Sequence, residues 1–256
     1  MASGSGSGAA SQTGAIPGQG KEAIDELLQK LGIEEDDLDD FVFEDEEDVP
    51  AGGMKWVALA RVHTMNSFSP QTFEQHMMNA WSPAKEVKFI ALEPNLFTIQ
   101  CFCLGDWLKV DEGGPWLFCQ HAVVIEPYDG LSDPDNIDLN HLAVWIQIHK
   151  LPVGYRKVAL ITNLIEKRVG KVVKVETDVH GAGNFVRVRV KIDVRKVLER
   201  VVTISRGGQR EIYQLMYEKV PRFCGACGLP GHIHVECGTG EHNVTKLKWG
   251  DWLKAN

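Results

Sequence analysis

Four potential metal ligands lie within fourteen residues near the carboxyl end of the sequence, in the stretch CGACGLPGHIHVEC. Cys224, Cys227, His232 and Cys237 follow the spacing C-x2-C-x4-H-x4-C. Three thiolates and one imidazole match the tetrahedral donor set that zinc prefers in structural sites, and they leave no position open for water. The spacing therefore predicts one structural Zn2+ ion. A loop this short buries too little apolar surface to fold without its metal.

The alternative to a metal site is a disulfide, and the alternative ligands are His234 and His242. The two histidines are imperfect substitutes for His232 and Cys237 respectively. His232 is favoured because it stands five residues after Cys227.

Basic residues are concentrated immediately before this cluster. Residues 150–222 hold 17 basic and 7 acidic side chains, a net charge of +10, whereas residues 34–48 hold eleven acidic side chains and no basic one. In the run FVRVRVKIDV, apolar residues alternate with Arg187, Arg189 and Lys191, so these cations share one face of a strand. That face is either the solvated side of an antiparallel strand or a stripe that follows phosphates. The local charge favours a polyanionic partner, which the acidic run would repel or compete with.

Base contacts are expected from side chains in and beside residues 224–237, which we call the metal loop. Phe223 and Ile233 are candidates for base contacts, and Arg195 and Arg222 would add phosphate contacts to those of the strand. Gly225 stands where retroviral-type knuckles usually carry an aromatic residue. We therefore expect the loop alone to bind weakly, with most of the affinity coming from the basic strands.

The apolar periodicity and the turn signals predict an α+β protein. Its predicted divisions are a disordered tail with a short amphipathic helix and the acidic run (1–52), a ferredoxin-like or RNA-recognition-like unit (53–130), a second, basic α+β unit (140–221), a CCHC zinc knuckle (222–240) and a final tail (241–256).

The first α+β unit shows the element order β-α-β-β-α-β. Its first helix has Ser69 as N-cap and Pro70 as its first residue. Its third strand would direct Leu96, Thr98 and Gln100 outward, and none of these side chains could stack well on a base. We therefore expect this unit to serve protein contacts or dimerisation.

Several motifs occur in the order seen in a plant family of unknown-function domains followed by a CCHC zinc knuckle. They are FSPQTFEQHMMNAWSPAK, EGGPWLF, WIQIHKLPVGYR, FVRVRVKIDV and YEKVPRFCGACGLPGHIHVEC. Over residues 54–240 the chain resembles that family, which is itself similar to the gag-like first protein of plant non-LTR retrotransposons and includes host genes derived from it. The resemblance implies binding of RNA or single-stranded DNA.

The sequence lacks the common catalytic motifs and any segment long enough for a membrane helix. It contains no G-x-S-x-G elbow, Walker loop or H-E-x-x-H motif, so we expect neither enzymatic activity nor a small-molecule substrate. No segment approaches the roughly 18 apolar residues of a membrane helix. Cys101, Cys103 and Cys119 lie in apolar surroundings that fit a reducing compartment. We expect an intracellular protein, with the nucleus favoured over the cytoplasm.

Two functions of different classes remain open. The first is zinc-dependent binding of single-stranded nucleic acid. The second is a protein-interaction adaptor derived from a retroelement, which would use the acidic amino-terminal region and the first α+β unit, with the knuckle as a structural staple.

Overall fold

The computed structural model of the chain describes residue 26 and residues 28–32, 55–176 and 184–255. Residues 26 and 28–31 are helical, and Gly32 follows them in the left-handed region at φ 65°. The acidic run at 34–48 lies outside the described residues. The chain divides into two compact units, Met1–Ala51 and Gly52–Asn256. The second unit contains both sheets and the cysteine cluster.

The second unit is α+β with two antiparallel sheets, in agreement with the predicted fold class. Its elements are β1 (Val57–Val62), α1 (Pro70–Trp81), β2 (Val87–Glu93), β3 (Leu96–Cys101), α2 (Leu104–Glu112), β4 (Trp116–Phe118), β5 (His121–Pro127), β6 (His141–His149), α3 (Val158–Glu166), β7 (Gly170–Glu176), β8 (Phe185–Asp193), β9 (Val201–Arg206) and β10 (Gln209–Glu218). None of these helices is long and apolar enough to cross a membrane.

Local sequence signals set several of these boundaries. Helix α1 begins at Pro70 after Ser69, whose extended backbone is that of an N-cap. Helix α3 begins at Val158, after a separate 3-10 turn at Val153–Tyr155. Strands β9 and β10 are joined at Gly207 and Gly208, both at positive φ, and two glycines between two strands are a typical hairpin signal.

The two sheets share one topology, which the sequence analysis did not predict. The strand order is β2-β3-β1-β5-β4 in the first sheet and β7-β8-β6-β10-β9 in the second, and all paired strands are antiparallel. In each sheet the first strand is followed by a helix and then by a hairpin. The second sheet has a non-helical connection at residues 194–200 where the first has α2. The unit therefore contains two versions of one arrangement.

Both faces of the first sheet contribute buried residues to a core. Phe73 and Trp81 of α1 pack with Phe97 on one face. On the other face, Leu59 and Leu96 belong to the core cluster of the second sheet. Leu96 was expected to point outward, but it is only 2% exposed, because the second sheet's core covers it.

The second sheet has one covered and one open face. Its apolar positions pack with Ile161 and Ile165 of α3 in the shared core. Along β8, buried and partly exposed residues alternate, so Arg187, Arg189 and Lys191 lie on the opposite side from the core. The predicted alternation is therefore confirmed. We call this side of the second sheet the open face.

The final segment, expected to be only a tail, packs against the second sheet. Leu253 is fully buried, and the backbone at Lys254 forms a bridge with Tyr217 of β10. The indole N–H of Trp249 donates a hydrogen bond to the carbonyl oxygen of Leu198 at 2.9 Å. Residues 241–255 are thus part of the folded unit.

Candidate metal centre and nucleic-acid interface

The four predicted metal ligands come together in the structure. The donor atoms of Cys224, Cys227, His232 and Cys237 all lie within 4.8 Å of one another. The Cys227 Sγ and His232 Nε2 atoms are 3.5 Å apart. Tetrahedral coordination with bonds of about 2.3 Å to sulfur and about 2.0 Å to nitrogen requires a sulfur–nitrogen separation of about 3.5 Å. The cluster therefore fits one tetrahedral metal ion.

The backbone around Cys224 prepares its sulfur for a cation. The N–H groups of Ala226 and Cys227 both donate to Cys224 Sγ at 3.4 Å. Burial is the largest single effect and opposes ionisation of this thiol, but the N–H groups of Cys227 and Ala226, together with the Cys227 and Cys237 side chains, hold its pKa below the usual value. Burial and the neighbouring sulfurs raise the pKa of Cys237 to about 11. Three thiolates at this spacing need a cation among them to ionise together.

The alternatives to this ligand set are not favoured. None of the six cysteines forms a disulfide. The ring Nε2 of His242 lies 2.8 Å from the carbonyl oxygen of Cys237, with which it forms a hydrogen bond. Among the described residues, the group that could hold a metal includes neither His234 nor His242.

The metal loop is packed against the final segment. The N–H groups of Lys248 and Trp249 donate to the carbonyl oxygen of Gly225 at 2.9 and 3.1 Å. A side chain at Gly225 would have its Cβ 3.0 Å from Leu247 Cδ1 and from the carbonyl oxygen of Trp249. This explains why the position lacks the aromatic residue of retroviral-type knuckles, since the chain's own carboxyl-terminal segment occupies that space. The metal loop therefore holds this segment in place.

The other predicted base contacts beside the loop are only partly accessible. Phe223 is 9% exposed and forms a backbone bridge with Pro230, so its ring has little surface for a base. Ile233 is 37% exposed. Arg222 lies 3.6 Å from the carboxylate of Glu236, and its backbone N–H donates to Gln120 of the first sheet's last hairpin at 2.8 Å. The loop is thus tied to the first sheet as well.

The guanidinium of Arg187 is held by two carboxylates and by the ring of Trp145. Its Nε and Nη2 atoms donate to the carboxylate of Glu218 at 2.9 and 2.7 Å, and Nη1 donates to Glu176 at 3.0 Å. Its Cζ lies 3.9 Å from the ring centroid of Trp145. The Glu218 carboxylate raises the pKa of Arg187 first, and Glu176 adds to it. The N–H groups of the guanidinium are thus paired with carboxylates, its carbon lies over the indole, and the side chain as a whole is 34% exposed.

The remaining predicted cations differ in their partners. Lys191 pairs with Glu126 of β5 in the first sheet. Arg195 donates to Asp193 through Nε and Nη2, both at 2.9 Å. Arg189 has no ion pair among the described residues, and its Nε is buried without a hydrogen-bond partner there. Of the five predicted basic residues, Arg189 alone is thus unpaired within the described part of the chain.

The sequence analysis missed the aromatic side chains of the open face. On β6, Trp145 lies opposite Arg189 and His149 lies opposite Phe185. The His149 and Phe185 rings are 5.3 Å apart between centroids, and Phe185 is 36% exposed. The signal was present, because apolar residues alternate along LAVWIQIH and place Trp145 on the side away from the core. The open face therefore combines flat side chains with cations.

Comparison with protein-family models, with curated proteins and with solved structures found no match. The resemblance to the plant knuckle-containing family is carried only by the motifs quoted above.

Proposed function

We propose that the protein binds single-stranded nucleic acid, RNA or DNA, on the open face of the second sheet. The observation that carries the proposal is the presence of two flat surfaces on β8 and β6, formed by Phe185 beside His149 and by Arg187 over Trp145. Unpaired bases stack on aromatic rings and on guanidinium planes. Arg189 supplies an unpaired positive charge on the same strand.

The spacing of the two surfaces favours a single strand. Phe185 and Arg187 are two residues apart on β8, which places them about 6.6 Å apart along the strand. This is about twice the 3.4 Å spacing of charges along one strand of a duplex. A nucleic acid that uses both surfaces must therefore be extended, with its bases separated from one another.

The topology supports the same proposal. We propose a ferredoxin-like or RNA-recognition-like arrangement for the first sheet, and its topology recurs in the second. RNA-recognition folds stack bases on aromatic residues of the sheet face. Trp145 and Phe185 lie on β6 and β8, the middle strand and its neighbour, whereas the corresponding face of the first sheet is covered. The motif resemblance to a gag-like family is a further, independent support.

Zinc is the metal that we propose for the cysteine cluster, because three thiolates and one imidazole in a closed tetrahedral set suit it. The ion would keep the loop folded and would hold the final segment on the second sheet. In this proposal the metal loop is not the main nucleic-acid surface. Nucleic-acid binding would depend on zinc only indirectly, because the ion supports the fold on which the open face lies.

Fluorescence anisotropy with labelled oligo-U and oligo-dT in dilute buffer tests the proposal. Phe185→Ala should weaken binding roughly five- to 150-fold, because loss of one base stack costs about 1–3 kcal/mol. Leu131→Ala removes a 66% exposed apolar side chain from a connecting segment and is the matched control. Absence of binding in low salt, or equal binding by the Phe185→Ala variant, would contradict the proposal.

A protein-interaction adaptor is the second candidate. The observation in its favour is that the cations predicted to bind phosphate are largely paired with carboxylates of the same chain. In this alternative the metal loop is only a staple. Pull-downs from extracts before and after nuclease treatment separate the candidates, because an adaptor retains its partners after the nucleic acid is destroyed.

A further inference from the structure

A cleft of about 560 Å3 lies between the open face of the second sheet and the first sheet. Trp145, Arg189 and Lys191 line it, whereas Phe185 and Arg187 do not. The cleft therefore begins at Trp145, on which the Arg187 guanidinium rests. Its volume is within the range of about 300–1,000 Å3 that is usual for small-ligand sites.

The two walls of the cleft carry opposite charges. The wall formed by the second sheet carries Lys174, Arg189 and Lys191. The wall formed by the first sheet and α2 carries Asp111, Glu112 and Glu126. Lys191 and Glu126 pair with each other across the cleft. Lys174 pairs with Glu176 of its own strand at 3.5 Å. Arg189 on one wall and Asp111 and Glu112 on the other thus have no ion pair among the described residues.

Arg189 is the group on the basic wall that most needs a partner. Its Nε is inaccessible to solvent and makes no hydrogen bond among the described residues, which is a costly state for a charged donor. In the strand registers it lies between Trp145 on β6 and Lys174 on β7. An anion bound to Arg189 would therefore meet an indole ring on one side and an ammonium group on the other.

The acidic wall favours a different part of the ligand. Asp111 and Glu112 end α2, both are exposed, and neither has an ion pair within the described residues. Carboxylates repel a phosphate backbone, so a strand that arrives over Arg187 cannot continue along this wall. Carboxylates accept hydrogen bonds from exocyclic amino groups such as that of cytosine, whereas uracil offers a carbonyl group there.

We infer that the cleft binds one terminal nucleotide whose base carries an amino group. Its phosphate lies at Arg189 and Lys174, and its amino-bearing base edge faces Asp111 and Glu112. This inference rests on the proposed function, because the rest of the strand would cross the flat surfaces of the open face.

Mononucleotides test the cleft separately from the open face. CMP, AMP and UMP are titrated by calorimetry into the full-length, zinc-loaded protein. CMP and AMP should bind at least tenfold more tightly than UMP, and Arg189→Ala should weaken CMP binding at least tenfold. Arg206→Ala removes an exposed cation of β9 that does not line the cleft, and it should leave CMP binding unchanged.

A variant that fills the cleft distinguishes failure of this inference from failure of the proposed function. Ala143 lines the cleft on β6, so Ala143→Phe, or Ala143→Leu if the larger side chain prevents folding, should abolish CMP binding. The same cleft-filling variant should change oligo-U binding less than threefold. Phe185→Ala, in contrast, should weaken oligo-U binding and leave CMP binding unchanged. If oligonucleotides bind but CMP does not, or if UMP binds as tightly as CMP, the inference is wrong and the proposed function stands. If neither ligand binds, both fail.

Discussion

Arg187 should contribute to nucleic-acid binding as a flat surface and not as a charge. Its guanidinium is hydrogen-bonded to the carboxylates of Glu218 and Glu176, and one of its sides rests on Trp145. Because its charge is already matched, its contact with a nucleic acid should release few counterions. The informative change is Arg187→Lys, which keeps the charge and removes the plane, compared with Arg189→Ala, which removes an unpaired charge.

The size of each effect follows from the ion pairs. Each phosphate that a protein cation neutralises on a single strand contributes about −0.7 to the slope of log affinity against log salt concentration. Five free cations would give a slope of about −3.5. If Arg189, which has no ion pair among the described residues, is the one cation that neutralises a phosphate, the slope should be about −0.7. Arg187→Lys should keep that slope while losing about 1–3 kcal/mol of stacking, and Arg189→Ala should reduce the slope to about zero.

Anisotropy titrations of labelled oligo-U at several potassium chloride concentrations measure both quantities for each variant. Thermal unfolding of the same samples shows whether a variant is folded, and Arg206→Lys on β9 controls for replacing an arginine elsewhere. A slope near −3.5 for the unmodified protein would refute the reasoning, because it would mean that the ion pairs open and the cations meet phosphates. A decrease in slope in Arg187→Lys, with stacking unaffected, would refute it as well.

Three further outcomes follow from the packing of the metal loop and from buried histidines. A chelator should release the segment around Trp249 and shift that indole's emission to longer wavelength, measured as the difference from Trp249→Phe, and added zinc should restore it. An unchanged difference spectrum would show that the metal does not hold this segment. Gly228→Ala should lower the free energy of unfolding by about 2–4 kcal/mol, because a Cβ there would collide with the Trp249 indole and φ is 80°. Urea unfolding measures this loss, and the control is Gly154→Ala, where a Cβ meets nothing within 4 Å. Burial lowers the pKa of His63 and His121 below 6.5, so the unfolded chain binds more protons in acid. The stability that depends on these two neutral histidines should therefore be fully present above about pH 6.5 and should fall as the pH is lowered below it. Urea unfolding at a series of pH values measures this, and a free energy of unfolding that stays constant or rises in acid would contradict it.

Local signals predicted the parts of the fold that depend on neighbouring residues. The N-cap at Ser69 and the proline after it mark the start of α1, and period-two alternation marks β8. The metal ligands are within fourteen positions, so their spacing alone brings them together. The same alternation along β6 also places Trp145 on the open face.

Long-range partners could not be predicted in the same way. Lys191 and Glu126 are 65 residues apart, and Arg187 and Glu218 are 31 apart. Alternation shows that the cations share a face, but it does not show which carboxylates the sheet order brings beside them. The net charge of +10 for residues 150–222 therefore overstated the free positive charge.

The two sheets use the same face of one arrangement for different purposes. In the first sheet the face opposite the helices presents Leu59 and Leu96, which pack into the shared core. In the second sheet the corresponding face presents Trp145 and Arg187, which belong to neither buried core. Part of this face borders the cleft, where Lys191 pairs with Glu126 of the first sheet. Packing one sheet's bare face against the next sheet's core leaves one bare face at the end of the pair. The aromatic and basic side chains lie on that face because it is the one that the fold does not need for its own core.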